Sequence, residues 1–256
     1  MSAFNEEKFI AQSINSLLNQ SYKKFELLII DDCSNDRTMD IIKSYAVRDN
    51  RIKVYQNKFK KNLSENLNYL IKLTKYEYIA RADADDFYHI DRLKEQKYFL
   101  DYNLHIDILG TDAYTINNKS IEISEILKSK HNNNIKKVIF YENPIIHSSV
   151  MLRKSSLIQK KNFIYNPKLK RTQDYDLWLK LFNGKNIYTL NHKLTYYRNA
   201  NQLKLKYLLK DIYYGNLCRL NNNQGYYLLI KSLVVFNISK LNKILLTLLC
   251  RILYIK

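Results

Sequence analysis

The sequence predicts an α/β domain, a mostly parallel sheet with helices on both faces, followed by a basic helical tail. Three observations carry this expectation. Short apolar runs alternate with amphipathic segments from Asn5 to Ala80, the rhythm of units whose right-handed crossovers favour a doubly wound sheet. Two of those runs end in carboxylates: Phe25-Glu26-Leu27-Leu28-Ile29-Ile30 runs into Asp31-Asp32, and Tyr78-Ile79-Ala80-Arg81-Ala82 runs into Asp83-Ala84-Asp85-Asp86. Continuous apolar runs suit strands buried on both faces, and ligands gather outside the carboxyl ends of such strands. From about Leu203 onward, apolar blocks interleaved with Lys and Arg replace the alternation.

The elements follow in order. Asn5 is placed to cap a helix over 6–20, with Glu6 and Glu7 in its first turn and Ile10, Ile14, Leu17 and Leu18 on its buried face. A strand at 25–30 comes next. Ser34-Asn35-Asp36 caps a second helix carrying Met39, Ile41, Ile42 and Tyr45, and 52–55 forms another short strand. Leu63, Leu67, Leu70 and Ile71 share one face of a third helix, which feeds the strand entering the acidic cluster. The series opens on a helix, so the sheet requires a strand ahead of Asn5, of which Met1-Ser2-Ala3-Phe4 is only the tail. Further on, 106–110 reads as a strand, 117–134 as a polar excursion, and 138–140 resumes apolar sequence. Asp174 opens a helix carrying Leu177, Trp178 and Leu181.

The expected organisation is a domain over 1–202 and a helical tail over 203–256. Charged residues interrupt every apolar block of the tail, so none reaches the roughly 20 apolar residues of a membrane span. Basic residues beside apolar runs fit a helix lying on a membrane surface, and helices packed on the main domain are the other reading. The net charge of +18 raises nucleic-acid binding as a further class. Abundant Lys, Asn, Ile and Tyr offer a compositional origin for part of that charge. Cys33, Cys218 and Cys250 lack the spacing of a zinc site or disulfide framework, which fits a reducing cytoplasm, and no secretory signal opens the chain.

Three acids within four positions at the tip of an apolar segment repel one another, and oxygen-only clusters are what hard divalent cations stabilise. A solvated loop in which Asp86 caps a helix through 91–94 is the competing reading. The second acidic tip, Asp31-Asp32, aims more carboxylates at the same sheet edge.

Five motifs in order carry a resemblance over about residues 2–198. They are Ser2-Ala3-Phe4-Asn5-Glu6-Glu7, Ile29-Ile30-Asp31-Asp32-Cys33-Ser34-Asn35-Asp36, Ala80-Arg81-Ala82-Asp83-Ala84-Asp85-Asp86, Asn143-Pro144-Ile145-Ile146-His147-Ser148-Ser149-Val150-Met151 and Gln173-Asp174-Tyr175-Asp176-Leu177-Trp178-Leu179. Together they resemble the inverting family 2 glycosyltransferases of bacterial surface polysaccharides, with the GT-A, Rossmann-like fold. The resemblance implies a nucleotide-sugar pocket in which Ser2 and Phe4 flank the base, Asp32 accepts from a uracil or guanine N–H, and Asp83 touches ribose or sugar. It implies that Asp85, with Asp86, holds Mn²⁺ or Mg²⁺ against the diphosphate, and that Asp174 is the general base, with Asp176 the alternative carboxylate. Arg81, His147, Trp178 and Arg198 are the implied substrate contacts; pairing of Arg81 with a neighbouring Asp and core positions for His147 and Trp178 stand beside those roles.

The chain departs from the family pattern in four places. The full first strand is missing ahead of Ser2, Cys33 stands where the family has Gly, and the loop before Leu63 lacks its usual Gly. Tyr197-Arg198-Asn199-Ala200 lacks the His that family members often place there, with Asn199, Asn201 or His192 as candidate substitutes. The expected function is metal-assisted inverting transfer of a sugar from a nucleotide donor to a hydroxyl of a glycan or polyprenyl-linked acceptor. The expected setting is the cytoplasmic face of the membrane, with peripheral attachment and no nucleic-acid partner. A catalytically inactive, membrane-associated relative is the alternative, and an apolar segment encoded in frame ahead of Met1 would argue for the enzyme.

Overall fold

The computed structural model describes residues 1–140, 142–157, 164–182, 184–199 and 205–222. Seventeen strands and helices follow in chain order as β1 (Ser2–Ala3), α1 (Ile10–Leu18), β2 (Leu27–Asp31), α2 (Thr38–Arg48), β3 (Ile52–Gln56), α3 (Leu63–Leu73), β4 (Tyr78–Ala80), β5 (Phe87–Tyr88), α4 (Arg92–Tyr102), β6 (Ile108–Ile116), β7 (Glu122–Ile126), α5 (Ile135–Val138), β8 (Met151–Arg153), α6 (Lys154–Leu157), α7 (Gln173–Leu181), β9 (Ile187–Arg198) and α8 (Leu205–Asn221).

The expected alternation is present, but the strands form two sheets. Parallel strands β1, β2 and β3 make one, with Ser2 opposite Ile30 and Leu27 opposite Ile52. A second sheet runs β4-β8-β6-β9-β5 with β7 added to β6, and among the described residues its only parallel pair is β6 with β9. Between the sheets lies an apolar cavity of about 290 Å³, lined by Leu27, Leu28, Leu70, Ile79 and Met151 among others. The strand required ahead of the first helix is present as two residues, and the Met1 ammonium continues its pairing by donating to Leu28 O at 2.8 Å. Because β4 pairs antiparallel with β8, the two acidic tips do not share one continuous parallel sheet.

Local chemistry explains the starts of α2 and α3. Asn62 and Glu65 form a reciprocal capping box that starts α3, satisfying two backbone donors that the first turn leaves orphaned. The second helix has its expected support, since Asp36 Oδ1 accepts from Thr38 N at 3.0 Å. The first helix differs: it begins at Ile10, because Asn5 takes a left-handed conformation (φ 56°) and spends its side chain on Asn35 N. Its neighbours do likewise, with Glu6 N donating to Thr38 Oγ1 and Glu7 Oε2 accepting from Arg37 N. Residues 5–7 are thus a seam to the start of α2 rather than a first helical turn. The polar excursion at 117–134 also proves ordered: a turn leads into β7 on the edge of β6, then a 3-10 helix at Ser129–Asn134.

Four apolar clusters pack the described residues, two of them large. Ile10, Ile14, Ile29, Ile42 and Ile52 pack α1 and α2 on the first sheet, while Ile108, Leu152, Leu177, Trp178 and Ile187 pack α7 on the second. The first helix of the expected tail belongs to the second core: Cys218 of α8 is buried there, Asn222 donates to Asp176, and Arg171 pairs with Asp211. The tail blocks at 226–230 and 244–249 lie outside the described residues, among which no helix is long and apolar enough to cross a membrane.

Cys33, where the family pattern has Gly, adopts φ 62°. Left-handed backbone crowds any Cβ, and a branched one most of all. In urea denaturation, Cys33→Val should therefore lose about 1–2 kcal/mol, whereas Cys33→Gly should match the parent or gain up to about 1 kcal/mol. A glycine variant less stable than the valine variant would contradict this account.

Candidate active site

The carboxyl ends of β1 and β2 bring Ser2, Phe4 and Asp32 together. Asp32 is 4% exposed, and its Oδ1 accepts from Asn57 Nδ2 at 2.7 Å and Lys61 N at 2.8 Å. Asn57 also donates to Asn66 Oδ1 (2.7 Å), and Asn66 donates to Ser2 Oγ (3.0 Å), so a chain of amides links the Ser2 and Asp32 positions. The Lys60 ammonium stands 3.1 Å from the Phe4 ring centroid, a cation–π contact that covers one face of the ring. Sequence reading missed Asn57 and Asn66. The signal for Asn66 was a polar residue on the inner face of α3, where a buried amide needs partners.

The acidic loop after β4 is organised by two arginines. Arg81 is buried, donates to Ala82 O and pairs with Asp83. This is the pairing with a neighbouring Asp that stood beside its role as a substrate contact. Burial works to raise the Asp83 carboxyl, but Arg81 and then His147 outweigh it and hold it below the ordinary range. Arg198 is likewise committed. Its N–H donates to Asp86 Oδ1 (2.7 Å), Nε to Asp85 O (2.7 Å), Nη1 to Asn117 O (2.5 Å), and Nη2 to Gln12 Oε1 and Ser120 Oγ (3.0 Å each). In the structure Arg198, the implied substrate contact, clasps the acidic loop.

Asp86 caps no helix. It is 1% exposed and turned toward the Arg198 backbone, while α4 starts without a side-chain cap. Burial first, then Asp83 and Asp85, push its carboxyl well above the ordinary value. The same crowding lifts Asp85 to about 6, by desolvation and then Asp83. It lifts Glu6, which sequence reading assigned to a helix turn, to about 7 by desolvation, Asp85 and Asp83. Asp85 stands half-buried, and no other described side chain donates to its carboxylate. Among the described residues no three His, Cys, Asp or Glu side chains form a metal cage. One free hard carboxylate beside an acidic surround nevertheless fits Mg²⁺ or Mn²⁺, which take one or two protein carboxylates when phosphates and water complete the shell.

Across the second sheet, α7 presents Asp174 in its first turn. Asn143 Nδ2 donates to Asp174 Oδ2 at 2.5 Å. His147 sits beside it, sharing a 2.8 Å hydrogen bond between Nε2 and Tyr165 O–H. Desolvation, then Arg81, lowers the His147 pKa to about 4, so the ring is neutral near pH 7. Asp83, Asn143, His147, Asp174 and Tyr197 line one cavity of about 590 Å³. Trp178, on the inner face of α7, is fully buried in the core and offers a sugar no face. Asp176 is fully buried as well, tied to Lys180 and Asn222, which removes it as the alternative base. Of the substitutes for the absent His, His192 pairs with Glu95 of α4 (2.5 Å), Asn199 extends β6 pairing through its N–H to Ile116 O, and Asn201 lies outside the described residues.

The family model for glycosyl transferase family 2 matches residues 1–160. The chain belongs to that family. It is 36% identical over 183 residues to the putative glycosyltransferase EpsE of Bacillus subtilis, covering 71% of this chain and 65% of that relative's length. It is 34% identical over 188 residues to the O-antigen biosynthesis glycosyltransferase WbnJ of Escherichia coli, covering 72% of this chain and 70% of WbnJ. The solved structure of Staphylococcus aureus TarS in complex with UDP-GlcNAc superposes with a TM-score of 0.69 at 21% identity, over 92% of this chain and 69% of that one. Mannosyltransferase PcManGT from Pyrobaculum calidifontis, in complex with GDP-Man and Mn²⁺, does so with 0.65 at 14%, over 91% and 66%. The fold is GT-A.

His147 provides a pH test of the site's interior. Its pKa falls from 6.5 to about 4 on folding, so below 6.5 the unfolded chain binds the extra proton and stability drops as pH falls toward 4. Between pH 7 and 4 the parent should lose about 3 kcal/mol more than His147→Gln. Parallel stability curves in urea would rule out a buried neutral imidazole.

Proposed function

We propose that this chain transfers a sugar from a nucleoside diphosphate donor to a hydroxyl of a glycan or lipid-linked acceptor, with inversion at the anomeric carbon. One observation carries the reading: Asp83 of the acidic loop and Asp174 of α7 open into the same cavity. A donor whose base sits at Phe4 and Asp32 would run its diphosphate along the acidic loop and bring its sugar to that cavity. The relatives named above support a nucleotide-sugar donor, since TarS binds UDP-GlcNAc and PcManGT binds GDP-Man.

In the proposed step the acceptor oxygen attacks the anomeric carbon from the side away from the diphosphate. Asp174 takes the hydroxyl proton, the new oxygen–carbon bond forms, and the carbon–phosphate-oxygen bond breaks with its electron pair leaving on the diphosphate. Asn143 holds one Asp174 oxygen, which keeps the carboxylate oriented and leaves the other for the proton. Neutral His147 adds no competing cation beside the base. Asp83, kept ionised by Arg81, is suited to accept from a ribose or sugar hydroxyl. Bound at Asp85, Mn²⁺ or Mg²⁺ would neutralise charge gathering on the leaving diphosphate.

We also propose that the acceptor is met at the cytoplasmic face of a membrane. The net charge of +18 supports this, as does Phe59, 82% exposed between Lys58 and Lys60.

A panel of nucleotide sugars with Mn²⁺, scored for transfer and hydrolysis, tests the reading. Asp174→Asn should lower kcat by about 10²–10⁴ while donor affinity stays near the parent's; unchanged turnover would remove Asp174 from the chemistry. A nucleoside diphosphate with Mn²⁺ should raise Tm, and Asp85→Ala should abolish the metal-dependent part of the rise. No Tm response to any nucleotide would sink the proposal.

A further inference from the structure

We infer that the apolar cavity between the two sheets is a docking slot for a single β-strand. Its occupant is an extended, uncharged apolar segment of another polypeptide, paired through its backbone with β2 on one side and β4 on the other.

The two strands that flank the cavity both present open edges to it. Leu27 N donates to Arg51 O on the β3 side, and backbone groups alternate between the two sides of a strand, so Leu28 turns its own toward β1. There its carbonyl takes the Met1 ammonium at 2.8 Å. The strand β1 pairs only with Ile30 and Asp31 and runs no further down β2, which leaves the Leu28 N–H turned to the cavity that Leu28 lines.

The other side repeats the pattern. Arg81 N donates to Val150 O and Glu77 O accepts from Lys154 N, both on the β8 side. Tyr78 and Ala80 therefore turn their N–H and C=O groups to the edge of β4 that, among the described residues, pairs with no strand. Both residues line the same cavity. Backbone donors and acceptors thus face one gap from two sides, a need that a β-strand meets and an alkyl chain does not.

The walls set the occupant's composition. Leu70 of α3 packs with Leu28 and Ile30, whereas Leu17 of α1 packs with Leu27 and Ile29, so the two helices cover opposite faces of β2. Both leucines line the cavity. A strand laid beside β2 is covered on both faces, which calls for a continuous apolar run rather than an alternating one. Two buried donors add a demand for acceptors: Arg81 Nε and Arg92 Nη1 lack partners among the described residues, and both side chains line the cavity. The carbonyl groups of an incoming strand supply them.

The test is fluorescence anisotropy of a labelled peptide, Lys-Lys-Val-Ile-Val-Ile-Val, titrated with the full chain, with amide hydrogen exchange read on the complex. The peptide should bind saturably and slow exchange at Leu28, Tyr78 and Ala80 at least about tenfold. A version N-methylated at alternate residues keeps the apolar surface but loses half the donors, and should bind at least about tenfold more weakly. Ala80→Pro removes one edge N–H and leaves the β8 pairing intact; it should weaken the peptide at least about tenfold, with the exchange pattern of the peptide-free chain as the check on folding. Decanoate, an apolar chain without a pairing backbone, should not displace the peptide. No saturable binding, equal binding of the N-methylated version, or displacement by decanoate overturns the inference, and none of these bears on the nucleotide-sugar reading.

Discussion

Arg198 ties the acidic loop to everything that must stay in register with it. From the last position of β9 it reaches Asp85 and Asp86 in the loop, Gln12 on α1, and Asn117 and Ser120 in the turn before β7, with its guanidinium 4.0 Å over the Phe9 ring. Five hydrogen bonds from one buried residue join the first sheet's helix to the second sheet's hairpin. A planar, permanently charged donor fork suits this task, because it satisfies several carbonyls at once without losing its charge. The negative field of the loop helps hold the fork, and the fork keeps the loop folded despite its own repulsion.

That repulsion remains only partly answered inside the protein. Arg81 answers Asp83, and the Arg198 backbone answers Asp86, yet Asp85 and Glu6 keep raised affinities for protons. Carboxylates held in such surroundings are poised for an external cation, since a proton and a divalent ion compete for the same excess negative charge. The arrangement is also economical. Arg81 and Arg198, the two groups that sequence reading cast as substrate contacts, hold the acidic loop together through Asp83, Asp85 and Asp86.

The other half of the cleft is rigid for a different reason. Asp174 stands on a helix whose inner face carries Leu177 and the fully buried Trp178, so packing sets the helix axis and thereby the carboxylate's position. Asn143 and the His147–Tyr165 pair then fix the groups around it by hydrogen bonds rather than by charge. Electrostatics organises one wall of the cavity and apolar packing the other.

The sequence alone determined what is local. Apolar runs of five or six residues ending in carboxylates marked β2 and the acidic loop, the shared face of Leu63, Leu67, Leu70 and Ile71 marked α3, and the order of the five motifs marked the family. Side-chain partnership across long separations was decided only by the fold. Nothing near Asn5 announces that residues 34–38 will take its backbone and side chain away from a helix, and nothing near Arg198 announces Gln12, 186 positions earlier. The split into two sheets, the burial of Trp178 and Asp176, and the occupation of one Asp32 oxygen by Asn57 are of this second kind. Each depends on which groups meet in three dimensions, where hydrogen-bond satisfaction and desolvation are settled jointly, and a linear pattern encodes neither.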